Sequence, residues 1–118
     1  MRALLRRAST PRYEPRDEEA IEIEGLRIDP ARRAVELDGK PVQLTYVEFE
    51  LLRTLAQRPG RVFSRQALLE ALWGGSDYRE PRTIDVHVRH LREKLEPDPR
   101  EPRYLLTVRG VGYRFRER

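Results

Sequence analysis

The richest stretch of polar chemistry in this chain lies between Arg82 and Leu95, where three arginines, two histidines, Thr83 and Asp85 are spread among five apolar residues. His87 and His90 stand three apart, a spacing that invites a metal pair, but there is no cysteine and no compact carboxylate cluster to complete the ligand set. No nucleophile–base pair, phosphate-binding glycine loop or metal set accompanies them, so neither catalysis nor a cofactor is expected. What remains is hydrogen-bond donation. On a helix with about 100° per residue, Ile84, Val88, Leu91 and Leu95 fall within about 40° of one line. Arg82, Val86, Arg89, His90 and Glu93 lie opposite, with Thr83 at the edge. A helix laid in the major groove of DNA needs this division: an apolar back for the core, and a front with donors for phosphates and base edges plus an apolar group for a thymine methyl. An ordinary amphipathic helix with a solvated charged face has the same period, so the neighbouring elements must decide.

Those neighbours support the groove reading. Upstream, Thr45 and Glu48 have capping-box spacing, Leu44 and Phe49 stand at the hydrophobic-staple positions, and Val47, Leu51, Leu52 and Leu55 form an inward stripe that Pro59-Gly60 ends. Arg61-Val62-Phe63 allows only a brief strand. Ser64 caps a second helix whose Leu68, Leu69, Leu72 and Trp73 face inward until Gly74-Gly75, with Trp73 read as core carrying a polar tip. A loop, Gly74–Pro81, leads into the third helix, which stops at Glu96-Pro97-Asp98-Pro99. In its first turn Asp85 favours the helix dipole and is placed to order the loop or Arg82. Downstream, Tyr104–Val108 and Tyr113–Phe115 predict a hairpin with Arg109 at its tip and glycines where the chain reverses. Residues 104–118 hold four arginines and one glutamate, and an arginine on such a turn suits the minor groove.

Ahead of the helices, Ile21/Ile23, Leu26/Ile28, Val35/Leu37 and Val42/Leu44 alternate, predicting four antiparallel strands. Asp29-Pro30 marks one turn, and Asp38-Gly39 marks a type I′ hairpin that pairs Val35 with Val42. Residues 10–20, with two prolines and mixed charge, read as linker. The net charge of +4 falls entirely after residue 58, and only Lys40 and Lys94 of the 24 basic residues are lysine. Arginine grips phosphates and guanine edges bidentately. No window approaches the roughly 18 apolar residues of a membrane span, and the start, Met1–Arg7, has too short an apolar stretch for a signal peptide. A cytoplasmic protein is expected.

Three ordered motifs carry a family resemblance: Leu44–Trp73 (LTYVEFELLRTLAQRPGRVFSRQALLEALW), Arg82–Glu96 (RTIDVHVRHLREKLE) and Thr107–Phe115 (TVRGVGYRF). The chain resembles the DNA-binding effector domain of OmpR/PhoB-family response regulators from two-component phosphorelay systems. The resemblance implies an α+β winged helix-turn-helix: an N-terminal four-stranded antiparallel sheet, a three-helix core and a C-terminal β-hairpin wing. It implies DNA-backbone contacts at Trp73, Arg82, Thr83, Arg89 and Arg92, a thymine-facing position at Val86, and wing contacts at Thr107 and Arg109. His90 stands where some relatives carry arginine, so its base preference is not transferable. The loop 74–81, with Asp77, Tyr78, Arg79 and Glu80, corresponds to a segment that meets RNA polymerase in the family.

By the same resemblance, residues 1–20 correspond to the tail of a receiver helix and an interdomain linker, and residues 21–118 to the DNA-binding domain. The receiver with its phosphoacceptor aspartate is not in the sequence, which predicts a domain without phosphorylation control, monomeric off DNA. The expected ligand is double-stranded DNA with tandem half-sites roughly 10 bp apart. The competing expectation is a winged helix that docks on an acidic protein.

Overall fold

The computed structural model describes residues 19–74 and 80–117. Strands β1 (Ile21–Ile23), β2 (Leu26–Asp29), β3 (Ala34–Leu37) and β4 (Lys40–Pro41) form an antiparallel sheet in chain order. The register aligns Ile21, Ile28 and Val35 across three strands, and all three are buried. Glu22, Arg27 and Glu36 form the opposite, polar row. Side chains two apart share a face, so this alternation follows directly from the strand period. Asp38 and Gly39 both take positive φ, as a type I′ turn requires. The turn brings the Val42 amide to the Val35 carbonyl at 2.8 Å, giving the anticipated pairing.

One expectation needs correction here, and one turn was not foreseen. The fourth strand is Lys40–Pro41, not the Val42/Leu44 alternation, because a two-residue turn starts pairing at Leu37↔Lys40. Leu44 instead precedes the cap of the first helix, packed partly against the core. There is also a second tight turn: Glu24 and Gly25 both have positive φ between β1 and β2. Glutamate is not a residue that marks such turns, so the sequence was silent there.

Helix α1 (Tyr46–Ala56) begins with both halves of the capping box: the Glu48 amide donates to Thr45 Oγ1 at 3.1 Å, and the Thr45 amide donates to Glu48 Oε1 at 3.0 Å. Leu51, Leu52, Leu55 and Ala56 are sealed from solvent; Val47 is only half-buried, and Phe49 and Glu48 take the buried places at that end. Strand β5 (Phe63–Ser64) leads into α2 (Arg65–Trp73), capped by Ser64 accepting from the Ala67 amide. Helix α3 (Arg82–Leu95) precedes β6 (Leu105–Val108) and β7 (Gly112–Phe115). One core joins the sheet, all three helices and the base of the wing. Within it Tyr104 and Phe115 stack at 6.5 Å, and the Tyr104 hydroxyl donates to the Glu24 carbonyl at 2.5 Å.

The wing is a three-stranded sheet ordered β5-β7-β6 rather than a free hairpin. Its two glycines have different reasons. Gly110, at φ +76°, makes the reversal. Gly112 lies where β7 crosses β5, and a Cβ there would come within 2.0 Å of the Phe63 carbonyl oxygen. Because that oxygen belongs to backbone, only separation of the strands relieves the clash. Gly112→Ala is therefore expected to destabilise the domain by roughly 1–3 kcal/mol, the usual range for overpacking. Urea unfolding is the check; unchanged stability would mean that β5 is not held against β7.

Candidate nucleic-acid interface

Helix α3 is anchored by the residues its periodicity selected. Ile84, Val88, Leu91 and Leu95 are all at or below 1% exposure. Removing four such side chains from water stabilises this seating by roughly 1.5–3 kcal/mol each. The opposite side faces outward. Val86 is half exposed, the side chains of Arg82 and Arg89 are about four-fifths exposed, and His90 and Glu93 are open as well. Thr83 is half-buried at the margin.

Polar contacts brace α3 along both flanks. On the wing side, Asp85 and Arg92 stand two turns apart. Tyr113 Oη donates to Asp85 Oδ1 at 2.6 Å, and Arg65 Nε lies 3.5 Å from the same oxygen. Asp85 thus reaches Tyr113 and Arg65, whereas the sequence had pointed it at the loop or Arg82. Arg92 donates from Nε and Nη2 to the Leu105 carbonyl and from Nη2 to Thr107 Oγ1, at 2.8–3.1 Å. The guanidinium also sits 5.6 Å from the Tyr113 ring centre. A side chain expected among backbone contacts is therefore also a strut between α3 and the wing, and Thr107 is its acceptor. Burial, then the Asp85 hydrogen bond and charge, push the Tyr113 hydroxyl up to about 12.

On the far flank, Lys94 Nζ donates to Glu48 Oε1 at 2.6 Å, and His90 Nδ1 stands 3.8 Å from Glu48 Oε2. The Glu48 carboxylate caps α1 and holds α3 at once. Its side chain is only 4% exposed. Burial pushes its pKa upward, but the Lys94 hydrogen bond, the Thr45 amide and the charges of Lys94 and His90 outweigh that and hold it below the ordinary 4.5. His87 lies with its ring 6.2 Å from Trp73, which is half-buried at the end of α2. At the end of α3 the buried Glu96 carboxylate accepts from the amides of Arg103, Tyr104 and Leu105 at 2.6–3.2 Å. Arg109 is exposed at the wing turn beside Val111, which is 52% exposed.

The structure thus brings Arg82, Val86, Arg89 and His90 onto one outward face, flanked by Trp73 and by a wing carrying Thr107 and Arg109. Asp77, Tyr78 and Arg79 lie outside the described residues; Glu80 is exposed, 4.0 Å from Arg82 Nε. Arg65, Tyr113, Glu48 and Glu96 acquire roles that sequence reasoning missed. The Glu48–Lys94 bond joins residues 46 apart and the Tyr113–Asp85 bond residues 28 apart, which no helical or strand period reveals. Among the described residues, no group of three or more potential metal ligands is gathered, and no helix is long and apolar enough to cross a membrane.

Comparison with known proteins gives this geometry its context. Residues 39–115 match the family described as "Transcriptional regulatory protein, C terminal". The chain is 46% identical to the alkaline phosphatase synthesis transcriptional regulatory protein SphR of Synechococcus elongatus, covering 97% of this chain and 44% of that protein. It is 42% identical to the phosphate regulon regulator PhoB of Escherichia coli, covering 100% of this chain and 49% of that protein. The chain therefore spans about half the length of these curated relatives. Among solved structures, the RstA DNA-binding domain of Klebsiella pneumoniae in complex with the RstA box aligns with TM-score 0.75 and 38% identity, covering 83% of this chain and 97% of that one. The Thermotoga maritima response regulator DrrB, an OmpR/PhoB homologue, aligns with TM-score 0.78 and 39% identity, covering 82% of this chain and 44% of that one.

The depressed Glu48 carboxyl makes the seating of α3 acid-sensitive. A folded pKa below 4.5 contributes stability that is full above the unfolded value and is lost as pH falls through the folded one. Glu50, lowered likewise against burial by Arg33 and Arg53, adds to the same window. Glu48→Gln should lower stability near neutral pH by roughly 1–3 kcal/mol and leave a shallower decline below pH 4.5. Thermal melts of both proteins from neutral pH to strongly acidic pH decide this; parallel curves would exclude the Glu48 anchor.

Proposed function

The chain belongs to the C-terminal transcriptional regulatory family, the DNA-binding effector domains of OmpR/PhoB-type response regulators, and from that premise we propose how it binds double-stranded DNA. Helix α3 lies in the major groove and the wing rests at the adjacent minor groove. One observation carries this placement: α3 buries Ile84, Val88, Leu91 and Leu95 completely while leaving Arg82, Val86, Arg89 and His90 outside. The complex of the RstA domain with its box supports it, because that domain shares the fold over 83% of this chain.

In this reading Arg82 and Arg89 neutralise phosphates, with Thr83, Arg92, Trp73 and Thr107 as neighbouring backbone contacts. Val86 meets a thymine methyl, His90 reads a base edge, and Arg109 enters the minor groove. Arg89 pairs with Glu93 at 3.4 Å, a surface contact of little energy that a phosphate readily replaces. Residues 21–118 constitute the binding domain, and residues 1–20 the tail of a receiver helix and an interdomain linker. The domain is monomeric in isolation and pairs on tandem half-sites about 10 bp apart. It acts in the cytoplasm by binding rather than catalysis, and the loop 74–81 offers Asp77, Tyr78, Arg79 and Glu80 to RNA polymerase.

Selection of bound duplexes from a random library, followed by titrations at several salt concentrations, tests the reading. Arg82→Ala should weaken binding to every duplex and reduce the salt slope by about 1. Val86→Ala should relax the choice at one thymine, worth roughly 1–3 kcal/mol, with the slope unchanged. Equal loss on all duplexes for Val86→Ala would place α3 outside the groove. Absence of any preference among duplexes would turn the basic face toward an acidic protein instead.

A further inference from the structure

Asp85 is a carboxylate on the helix that, in the reading above, meets a polyanion, and charge alone would make it a liability there. The structure gives it a different occupation. Its Oδ1 accepts from Tyr113 Oη at 2.6 Å and stands 3.5 Å from Arg65 Nε, so one oxygen gathers α3, the start of α2 and the middle strand of the wing. Tyr113 is well placed to transmit that hold. In the wing sheet it pairs with Phe63 on one side and with Thr107 on the other. Thr107 in turn accepts from Arg92, seven residues after Asp85 on the same flank. Arg109 lies two residues beyond Thr107, just past the end of β6, in the exposed turn.

Two tethers therefore run from α3 to the wing. Arg92 holds β6 through the Leu105 carbonyl and the Thr107 hydroxyl; Asp85 holds β7 through Tyr113. The base of the wing is already seated in the core by Leu105 and Phe115, and these two polar tethers add directional contacts that set its angle against α3. Resting on the DNA-binding reading, we propose that Asp85 is a positioning residue for the wing: through Tyr113 it sets where Arg109 stands relative to α3, and hence which base pairs beside the helix footprint are discriminated. Asp85 itself touches no base in this scheme.

The two accounts of Asp85 predict opposite results. If only its charge mattered, neutralising it would strengthen binding to every duplex alike. If it positions the wing, discrimination at wing positions falls while discrimination at helix positions holds. The experiment uses the full chain and the duplex selected by the wild type, scanned one base pair at a time. Positions blunted by Arg109→Ala define the wing footprint, and those blunted by Val86→Ala define the helix footprint. Asp85→Ala should reduce discrimination across the wing footprint by about fivefold or more and leave the helix footprint at the wild-type level. Its tyrosine absorbance titration should also shift: the hydroxyl held at about 12 by burial and by Asp85 should ionise at lower pH once the carboxylate is gone. A residue acting only through packing would leave that titration in place.

A uniform gain in affinity with both footprints intact overturns the proposal, as does equal loss at both. Should Asp85→Ala fail to fold, Tyr113→Phe keeps the ring and removes only the hydroxyl; it must show the same wing-selective loss, and an unchanged wing footprint sinks the assignment. A wild type that selects no duplex brings down the DNA reading and this proposal together. A wild type that selects one, read identically by Tyr113→Phe, brings down the Asp85 assignment alone.

Discussion

Three consecutive backbone amides, those of Arg103, Tyr104 and Leu105, converge on the buried carboxylate of Glu96. Glu96 is the first residue past α3 and precedes Pro97, which disfavours helical backbone there and turns the chain outward. The amides belong to the start of the wing. A buried carboxylate without such donors would be strongly unfavourable, so the contact binds both ways. The charge requires the amides, and the amides, drawn in from solvent, require the charge. This joint sets the direction in which β6 leaves α3. The Arg92 and Asp85 tethers work on a geometry that Glu96 has already narrowed.

The same logic recurs on the other flank with a different partner. Glu48 is needed to cap α1 whatever α3 does, and its buried carboxylate draws Lys94 onto it. One acidic group thereby completes a local structure and fixes a distant one. Between Glu48 and Asp85 the helix is held against rotation about its own axis. Its apolar stripe resists withdrawal from the core but tolerates small rotations far better than directional hydrogen bonds do. For a helix that reads base edges, rotation is the damaging freedom, because it moves every outward side chain at once.

The outer face is electrostatically less simple than its arginine count suggests. Arg82 faces Glu80, Arg89 faces Glu93, and Arg65 faces Asp85. The pairs on exposed side chains are weak in water and exchange readily for phosphate oxygens. Arg92, by contrast, has directed bonds inside the domain, and that distinction between loose and committed arginines is invisible in composition.

Much of the fold was legible in the chain, because the signals were local. The Thr45–Glu48 capping box, the Ser64 cap, the Asp38-Gly39 turn and the α3 stripe depend on residues within a turn or two of one another. Errors arose where a local pattern had two sources. The Val42/Leu44 alternation looked like strand, yet it is the lead-in to α1. Gly112 looked like a turn residue, yet it is a close crossing of two backbones. The sequence by itself decided which side of α3 is apolar, where the helices start, and which residues stand outward, since side-chain periodicity is a property of the backbone. Tertiary structure alone decided what the flanking charges meet: Asp85 with Tyr113, Arg92 with Leu105 and Thr107, Lys94 with Glu48. Period assigns a side chain to a flank. Its partner arrives from elsewhere in the chain, and only packing of the core brings the two within reach.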